Sequence, residues 1–377
     1  MEKIYLDYNA STPIDPRVAA VMKRAMEDGF GNPSSPHWAG GPARERVEAG
    51  RRQVADLLGC TPGEVIFTSG GSESNNFALK GAFFSSTRVR RHIITTVIEH
   101  PAIISPCRFL ERLGAEVTWL PVDSTGSIDP DNLRRAITAD TILISIMHAN
   151  NEVGTIQPIN DCAAIARERG IPFHTDAAQS VGKIPTRVNE LGVDLLTIAG
   201  HKVYAPKGIG ALYVRNGTQL EPLIHGASHE GGRRAGTESA MLAAALGEAC
   251  ALTNDLSSMK QVQLLRDRFW DALQSHFGDK VALNGHPVHR LPNTLNVSFV
   301  GRVGTDILAA LDGIAASTGS ACHAGRVELS PVLEAMGVLP EVGMGAVRFS
   351  LGRGTFEDEI DTVVENLWKI VPQIGKS

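Results

Sequence analysis

The sequence predicts an α/β fold with a largely parallel sheet, followed by a smaller α+β domain. Three observations predict it. Short β-rich runs alternate with helical stretches through the middle of the chain, those runs are apolar along most of their length, and the pattern changes character after about residue 250. Apolar strands separated by helices belong to a sheet that is covered on both faces.

Seven strand candidates follow one another. The first, 64–68, runs into a Gly/Ser turn and a helix from about Ser74 to Phe84, and the second, 92–97, ends at Glu99-His100. Runs at 116–120, 141–146, 172–176, 194–198 and 211–214 complete the set, with helices such as 161–169 between them. A long helical region is expected from about Glu238 to Phe277. Beyond it, 294–299 and 346–350 alternate like half-buried strands, and helices are expected at 306–311 and 357–370. No internal repeat and no flexible linker separates the two parts.

Composition narrows the function. Of the 377 residues 43% are hydrophobic, ample for a large core, and 20% are charged with no low-complexity tract, which excludes disorder as the main state. Lys+Arg 36 against Asp+Glu 41 gives a net charge of −5, so a nucleic-acid partner is not expected and the short cluster 88–92 reads as a solvated turn. No apolar run reaches the roughly 18 residues that span a bilayer, and the first residues lack the apolar stretch of a signal peptide. Cys60, Cys107, Cys162, Cys250 and Cys322 are odd in number and widely spaced, which fits a reducing, cytoplasmic setting better than disulfides or a thiolate metal site. The 38 glycines exceed the usual share of about 7% and point to tight turns where backbone approaches a ligand.

Ligands of open α/β sheets sit beyond the carboxyl ends of the strands. Polar residues gather there: Ser69-Gly70-Gly71-Ser72 after the first strand, His100 after the second, His148-Ala149-Asn150-Asn151 after a third and Asp176 at the end of a fourth. The glycine turn opens a helix, where free N–H groups and the dipole favour a phosphate; the plainer reading is a helix N-cap at Ser72. It lacks the lysine of a nucleoside-triphosphate loop. Asp176, at a buried strand end, needs a cationic partner from the protein or from a ligand nitrogen. Lys202, in Gly200-His201-Lys202, is either an ordinary surface cation or the amine that binds an aldehyde. An anion cradle, a carboxylate and an amine are the three parts that pyridoxal phosphate requires. His100 then has a place stacked on the ring; otherwise it is a hydrogen-bonded core histidine.

Cys322 stands in a run of small residues, 316–325, beside His323 and Arg326. Nearby cations lower a thiol pKa, so both a reactive thiolate and an inert surface thiol fit this setting. The other four cysteines read as packing. The pairs His225/His229 and His286/His289 lack accompanying carboxylates or cysteines, and no metal is expected.

With these residues assembled, the chain resembles the cysteine desulfurases, the NifS/IscS group of fold-type-I pyridoxal-phosphate enzymes in the class-V aminotransferase family. The likeness runs the length of the chain. It includes Leu6-Asp7-Tyr8-Asn9-Ala10-Ser11-Thr12-Pro13, the phosphate turn continuing into Glu73-Ser74-Asn75-Asn76, Glu99-His100 and Asp176-Ala177-Ala178-Gln179. Gly200-His201-Lys202, Arg234-Ala235-Gly236-Thr237-Glu238, Gly319-Ser320-Ala321-Cys322 and Arg348-Phe349-Ser350 continue it.

The resemblance implies a PLP-dependent transferase fold of type I. A large domain over 15–250 would hold a mainly parallel seven-stranded sheet, and a small C-terminal α+β domain over 251–377 would pack with residues 1–14. It further implies that Lys202 binds the coenzyme aldehyde and moves protons, and that Gly71 and Ser72 hold the phosphate with His201 and with Thr237 from the partner subunit of a homodimer. Asp176 would pair with the ring nitrogen, Gln179 with the ring hydroxyl, and His100 would stack on the ring and assist catalysis. Asn151 and Arg348 would take the substrate carboxylate, Asn151 also touching the cofactor. Cys322 would attack the sulfur of L-cysteine, leaving alanine and a persulfide for an acceptor such as an iron–sulfur scaffold or a sulfur carrier serving tRNA thiolation.

Departures from the family pattern accompany the likeness. Ala199 stands where many members have a serine that donates to the phosphate, and His323 after the cysteine is similar to selenocysteine lyases. The sequence ends at Ser377, short of the tail that many members use to dock a scaffold. A selenocysteine lyase and a non-catalytic scaffold of the same fold are therefore the alternatives carried forward.

Overall fold

The computed structural model describes residues 3–318, 322–323 and 326–374, and only the backbone of Cys322, His323, Arg326 and Val327. A short strand, β1 (Ile4–Tyr5), precedes helices α1 (Pro16–Asp28) and α2 (Gly40–Leu58). Then β2 (Val65–Thr68) runs into α3 (Gly71–Ser85), β3 (Arg91–Thr96) into α4 (Pro101–Glu111), and β4 (Ala115–Leu120) into α5 (Pro130–Ala136). After β5 (Thr141–Ser145) come α6 (Ile159–Glu168), β6 (Phe173–Asp176), α7 (Val188–Leu191), β7 (Leu195–Ala199) and β8 (Gly210–Val214). The remainder begins with α8 (Ala240–Thr253), α9 (Ser257–Phe277), β9 (Val281–Asn284) and β10 (Thr294–Phe299). It continues with α10 (Gly304–Ala310), β11 (Ile314–Ala315), β12 (Cys322–His323), β13 (Arg326–Val327), α11 (Pro331–Ala335), α12 (Pro340–Gly343), β14 (Ala346–Ser350) and α13 (Glu357–Ile370).

The seven expected strands form one sheet in the order β2-β8-β7-β6-β5-β3-β4. All neighbours from β7 to β4 are parallel, and β8 is antiparallel to both β7 and β2. Two reversals cancel, so β2 points the same way as β3, β5, β6 and β7. Their carboxyl ends therefore open on one edge. A close approach secures that edge: a Cβ on Gly210 would lie 2.5 Å from the Ile198 carbonyl oxygen and 2.7 Å from the Gly70 Cα, so only glycine lets β8 pass beneath the turn after β2.

Each face of the sheet is covered. Val47, Leu58, Phe173 and Leu246 belong to the core on one side, and Phe77, Ile93, Ile103 and Leu212 to the core on the other. A separate core gathers round the three-stranded sheet β14-β10-β9, with Phe269, Val297, Phe349 and Leu367 at its centre and Ile4 and Leu6 joining from the start of the chain.

Three local features differ from expectation. The long helical region expected from about Glu238 to Phe277 is two helices, α8 and α9, separated over 254–256, where the Asp255 carboxylate accepts the Ser257 N–H at 2.9 Å. β10 is buried on both faces, since its polar side chains find partners: Asn284 donates to Asn296 and to Ser298 at 2.8 Å each, and Asn296 donates to the Glu152 carbonyl at 3.1 Å. Helix α2 was masked in the sequence by Gly40, Gly41, Pro42 and Gly50. A Cβ on Gly50 would fall 2.3 Å from the Ala243 carbonyl oxygen, so that glycine sets a close helix crossing with α8, not a turn. Among the described residues no helix is long and apolar enough to cross a membrane.

Candidate active site

A cavity of about 600 Å³ opens at the carboxyl ends of the strands and is lined by Gly70, Gly71, Ser72, His100, Asp176 and Lys202, among others. The turn after β2 places Gly70 just ahead of α3 with φ 151°, and no side chain caps that helix. The N-cap expected at Ser72 is therefore absent, and the first N–H groups of a 15-residue helix face the cavity without intrahelical acceptors. A Cβ on Gly71 would press to 3.1 Å on the Ala199 side chain. The small residue at 199 thus lets the turn lie flat on the end of β7.

His100 ends the connection after β3 and is itself the N-cap of α4: its Nδ1 accepts the Ala102 N–H at 3.0 Å, ahead of Pro101 at the first helical position. The neutral imidazole consequently carries its proton on Nε2. Burial pushes its pKa down, opposed by Asp176 and reinforced by Lys202.

Asp176, the last residue of β6, has both oxygens engaged: Asn75 Nδ2 donates to Oδ2 at 2.7 Å and the Ala178 N–H to Oδ1 at 2.9 Å. Asn75 lies one turn into α3, four residues beyond Gly71, so the helix that offers the anion cradle also orients the carboxylate.

Lys202 follows β7 in a short 3₁₀ turn, and its Nζ donates to the Asn9 carbonyl and, at 2.9 Å, to the Ala10 carbonyl. Burial first, then Arg348, lower its pKa from 10.5 to about 8, so a useful fraction is uncharged amine near neutrality. His201 is pushed down to about 4 by burial and the neighbouring lysines, and its Nδ1 lies 3.3 Å from Ser11 Oγ. Glu99, fully enclosed, is raised to about 8 by burial; its Oε1 accepts from Thr96 at 2.9 Å and from the Met147 N–H at 2.8 Å.

Arg348, on β14, reaches in from the small sheet. One guanidinium nitrogen donates to Asp7 at 2.8 Å and another to the Asn151 carbonyl at 2.8 Å. Gln179 Nε2 donates to the Asn9 carbonyl at 3.0 Å.

The cavity thus brings together Gly71, Ser72, His100, Asn151, Asp176, Gln179, His201, Lys202 and Arg348. Thr237 is exposed outside it, bordering a neighbouring pocket with Ser69 and Arg234. The Cys322 side chain lies outside the described residues; its backbone pairs with Val327. Cys107, Cys162 and Cys250 are buried and their thiols are pushed up to about 12, in keeping with packing roles, as is that of half-buried Cys60. His225 pairs with Glu221 and His229 with Glu238, and no cluster of three metal-ligating side chains forms among the described residues.

Reading residues one by one missed the roles of Asn75, Asn9 and Asp7. Helical spacing from Gly71 was the available signal for Asn75. Nothing local marks Asn9 and Asp7, which reach the site only through tertiary folding.

Uncapped helix N–H groups suit a phosphate, Asp176 suits a protonated ring nitrogen and Lys202 suits an aldehyde, so the donor set fits pyridoxal phosphate. The aminotransferase class-V family model matches residues 4–363. The cysteine desulfurase IscS of Dictyoglomus turgidum is 47% identical over 99% of this chain and 95% of its own, and that of Escherichia coli 45% over 98% and 93%. Among solved structures, a NifS-like protein superposes with a TM-score of 0.92 at 36% identity, covering 99% of this chain and all of that one. SspA in complex with cysteine follows at 0.83 and 38%, covering 92% of this chain and 98% of that one.

The chain belongs to the class-V aminotransferase family. Within it the protein is a pyridoxal-phosphate-dependent cysteine desulfurase of the IscS/NifS group. The selenocysteine-lyase and non-catalytic alternatives gain no support from these relatives.

Proposed function

We propose that this cavity converts L-cysteine to L-alanine and delivers the sulfur to Cys322 as a persulfide, for transfer to an acceptor protein. The observation that carries the proposal is the convergence of Lys202, Asp176 and the uncapped start of α3 on one cavity. L-cysteine and the enzyme thiol together yield L-alanine and the enzyme persulfide, so atoms and electrons balance without an external oxidant.

When bound, pyridoxal phosphate supplies an electron sink for the charge left by the departing α-proton. Gly71, Ser72 and His201 hold the phosphate end. Asp176, fixed by Asn75 and the Ala178 N–H, keeps a proton on the ring nitrogen. Lys202 would supply the amine that holds the aldehyde and a base at Nζ for the α-proton. His100, held by its cap bond, would carry its Nε2–H beside the coenzyme ring. Gln179 would offer an N–H to the ring oxygen. The Arg348 fork and Asn151 orient the substrate carboxylate, with the guanidinium exchanging Asp7 for the incoming anion. Cys322 is the sulfur-accepting nucleophile.

The same reading divides the chain into a large domain over 15–250 and a small one over 251–377 with residues 1–14. Support comes from the separate core that joins Ile4 and Leu6 to residues beyond Met259. It also takes the enzyme to be a homodimer in which Thr237 serves the partner's phosphate; the exposure of Thr237 outside its own cavity supports this. Free thiols at the four described cysteines support a reducing, cytoplasmic compartment.

Mass spectrometry after incubation with L-cysteine tests the whole. A gain of one sulfur on Cys322 is expected in the native enzyme and not in Lys202→Ala. Sulfur retained on Cys322 in Lys202→Ala, or alanine formed undiminished by Cys322→Ala, overturns the assignment.

A further inference from the structure

Lys183 is a buried amine that the reaction above does not use. Its Nζ donates to Gln179 Oε1 at 3.0 Å and to Asn9 Oδ1 at 3.2 Å, and among the described residues no carboxylate lies within ion-pair distance. Burial, together with the positive charges of Lys202 and Arg348, pushes its pKa well down. Tyr8 and Tyr204 border the small pocket shared by Lys183 and Lys202. An amine enclosed here without a carboxylate is a cost to folding that calls for a purpose.

The geometry supplies one. A glutamine amide has two ends of nearly equal shape, and only its partners decide which faces a ligand. At Gln179 both ends are fixed. Oε1 is held by the Lys183 donor, and Nε2 faces the Asn9 carbonyl at 3.0 Å. A flipped amide would take the acceptor oxygen away from the Lys183 N–H groups and set it against the Asn9 carbonyl oxygen. Asn9 is fixed in turn: its Oδ1 accepts from Lys183 and from Asn293 at 2.9 Å, and its Nδ2 donates to Thr294 at 2.8 Å. The carbonyl of the same Asn9 receives the Lys202 amine.

We propose that Lys183 is a positioning residue that locks the Gln179 amide with an N–H toward the coenzyme ring oxygen and, through Asn9, seats the Lys202 amine. This rests on the reading of Gln179 as the donor to that oxygen.

The test follows the coenzyme spectrum, which a merely structural residue would not move. Native enzyme, Lys183→Met, Gln179→Leu and the double variant are loaded with pyridoxal phosphate, and the pH midpoint of the coenzyme absorbance change is measured alongside Tm. An N–H on the ring oxygen favours the deprotonated, more negative form. Its loss therefore raises the midpoint, by about 0.5–1 pH unit. The expected result is an upward shift in both single variants and no further shift in the double variant. A native midpoint in Lys183→Met beside a shifted one in Gln179→Leu overturns the role of Lys183 alone. A native midpoint in Gln179→Leu overturns the reading of Gln179, and this proposal with it. If Lys183→Met does not fold, Gln179→Glu decides. Its carboxylate pairs with Lys183 and offers no N–H, so its midpoint must rise at least as far as that of Gln179→Leu, and a native midpoint refutes the proposal.

Discussion

Asn75 Nδ2 stands 2.7 Å from Asp176 Oδ2, a buried hydrogen bond between the first turns of α3 and the end of β6. One helix therefore both presents free N–H groups to the cavity and holds the carboxylate that the proposed function sets against the ring nitrogen. Asn75→Ala is expected to lower kcat about 10- to 100-fold, the worth of one charge-assisted hydrogen bond, with KM for L-cysteine nearly unchanged. Steady-state kinetics with coenzyme occupancy measured in parallel checks this. A rise in KM alone contradicts it.

Arg348 should act chiefly on substrate binding. Replacement by lysine keeps a positive charge but loses the planar fork that spans Asp7 and the Asn151 carbonyl. Arg348→Lys is expected to raise KM for L-cysteine about 10- to 100-fold, with a smaller effect on kcat. Equal losses in kcat and kcat/KM would place Arg348 in the chemical step instead.

Glu99 makes stability depend on pH. Its folded pKa of about 8 lies above the ordinary 4.5, so the folded state holds a proton that the unfolded state has lost between those values. Its contribution is complete below about pH 4.5 and is lost as pH rises through about 8. Glu99→Gln, a mimic of the neutral acid, should match the native protein near pH 4.5 and exceed it above pH 8 by up to roughly 5 kcal/mol. Thermal melts across this range decide. A variant weaker at every pH would show that the fold uses the ionised carboxylate.

Arg51 and Glu230 form an enclosed ion pair at 2.6 and 3.0 Å, and Glu230 also accepts the Phe67 N–H of β2 at 3.1 Å. Arg51→Ala leaves that carboxylate buried without its cation, at about 3–5 kcal/mol. Urea unfolding should show it, and a loss under 1 kcal/mol would mean that water reaches Glu230.

The sequence carried the sheet because its strands are nearly continuous apolar runs, and the site because polar residues interrupt those runs at one edge. His100, Asp176 and Lys202 were legible for that reason. Less legible was what depends on crossing distances. Gly50 has the composition of a turn but serves the α2–α8 packing, and Asn9, Asp7 and Lys183 acquire meaning only when the beginning of the chain meets residues far along it. The Arg51–Glu230 pair spans 179 positions and has no local signature.

The Asn9 N–H donates to the Ser350 hydroxyl, its partner 341 residues later. A ribosome releases the first of these long before the second, so the sheet has time to fold around an unfinished site. Arg348 and the strand that carries it must emerge before the opening residues can be clasped. Closure of the site therefore waits on contacts of very long sequence separation, and a change that stiffens the leading segment should slow maturation.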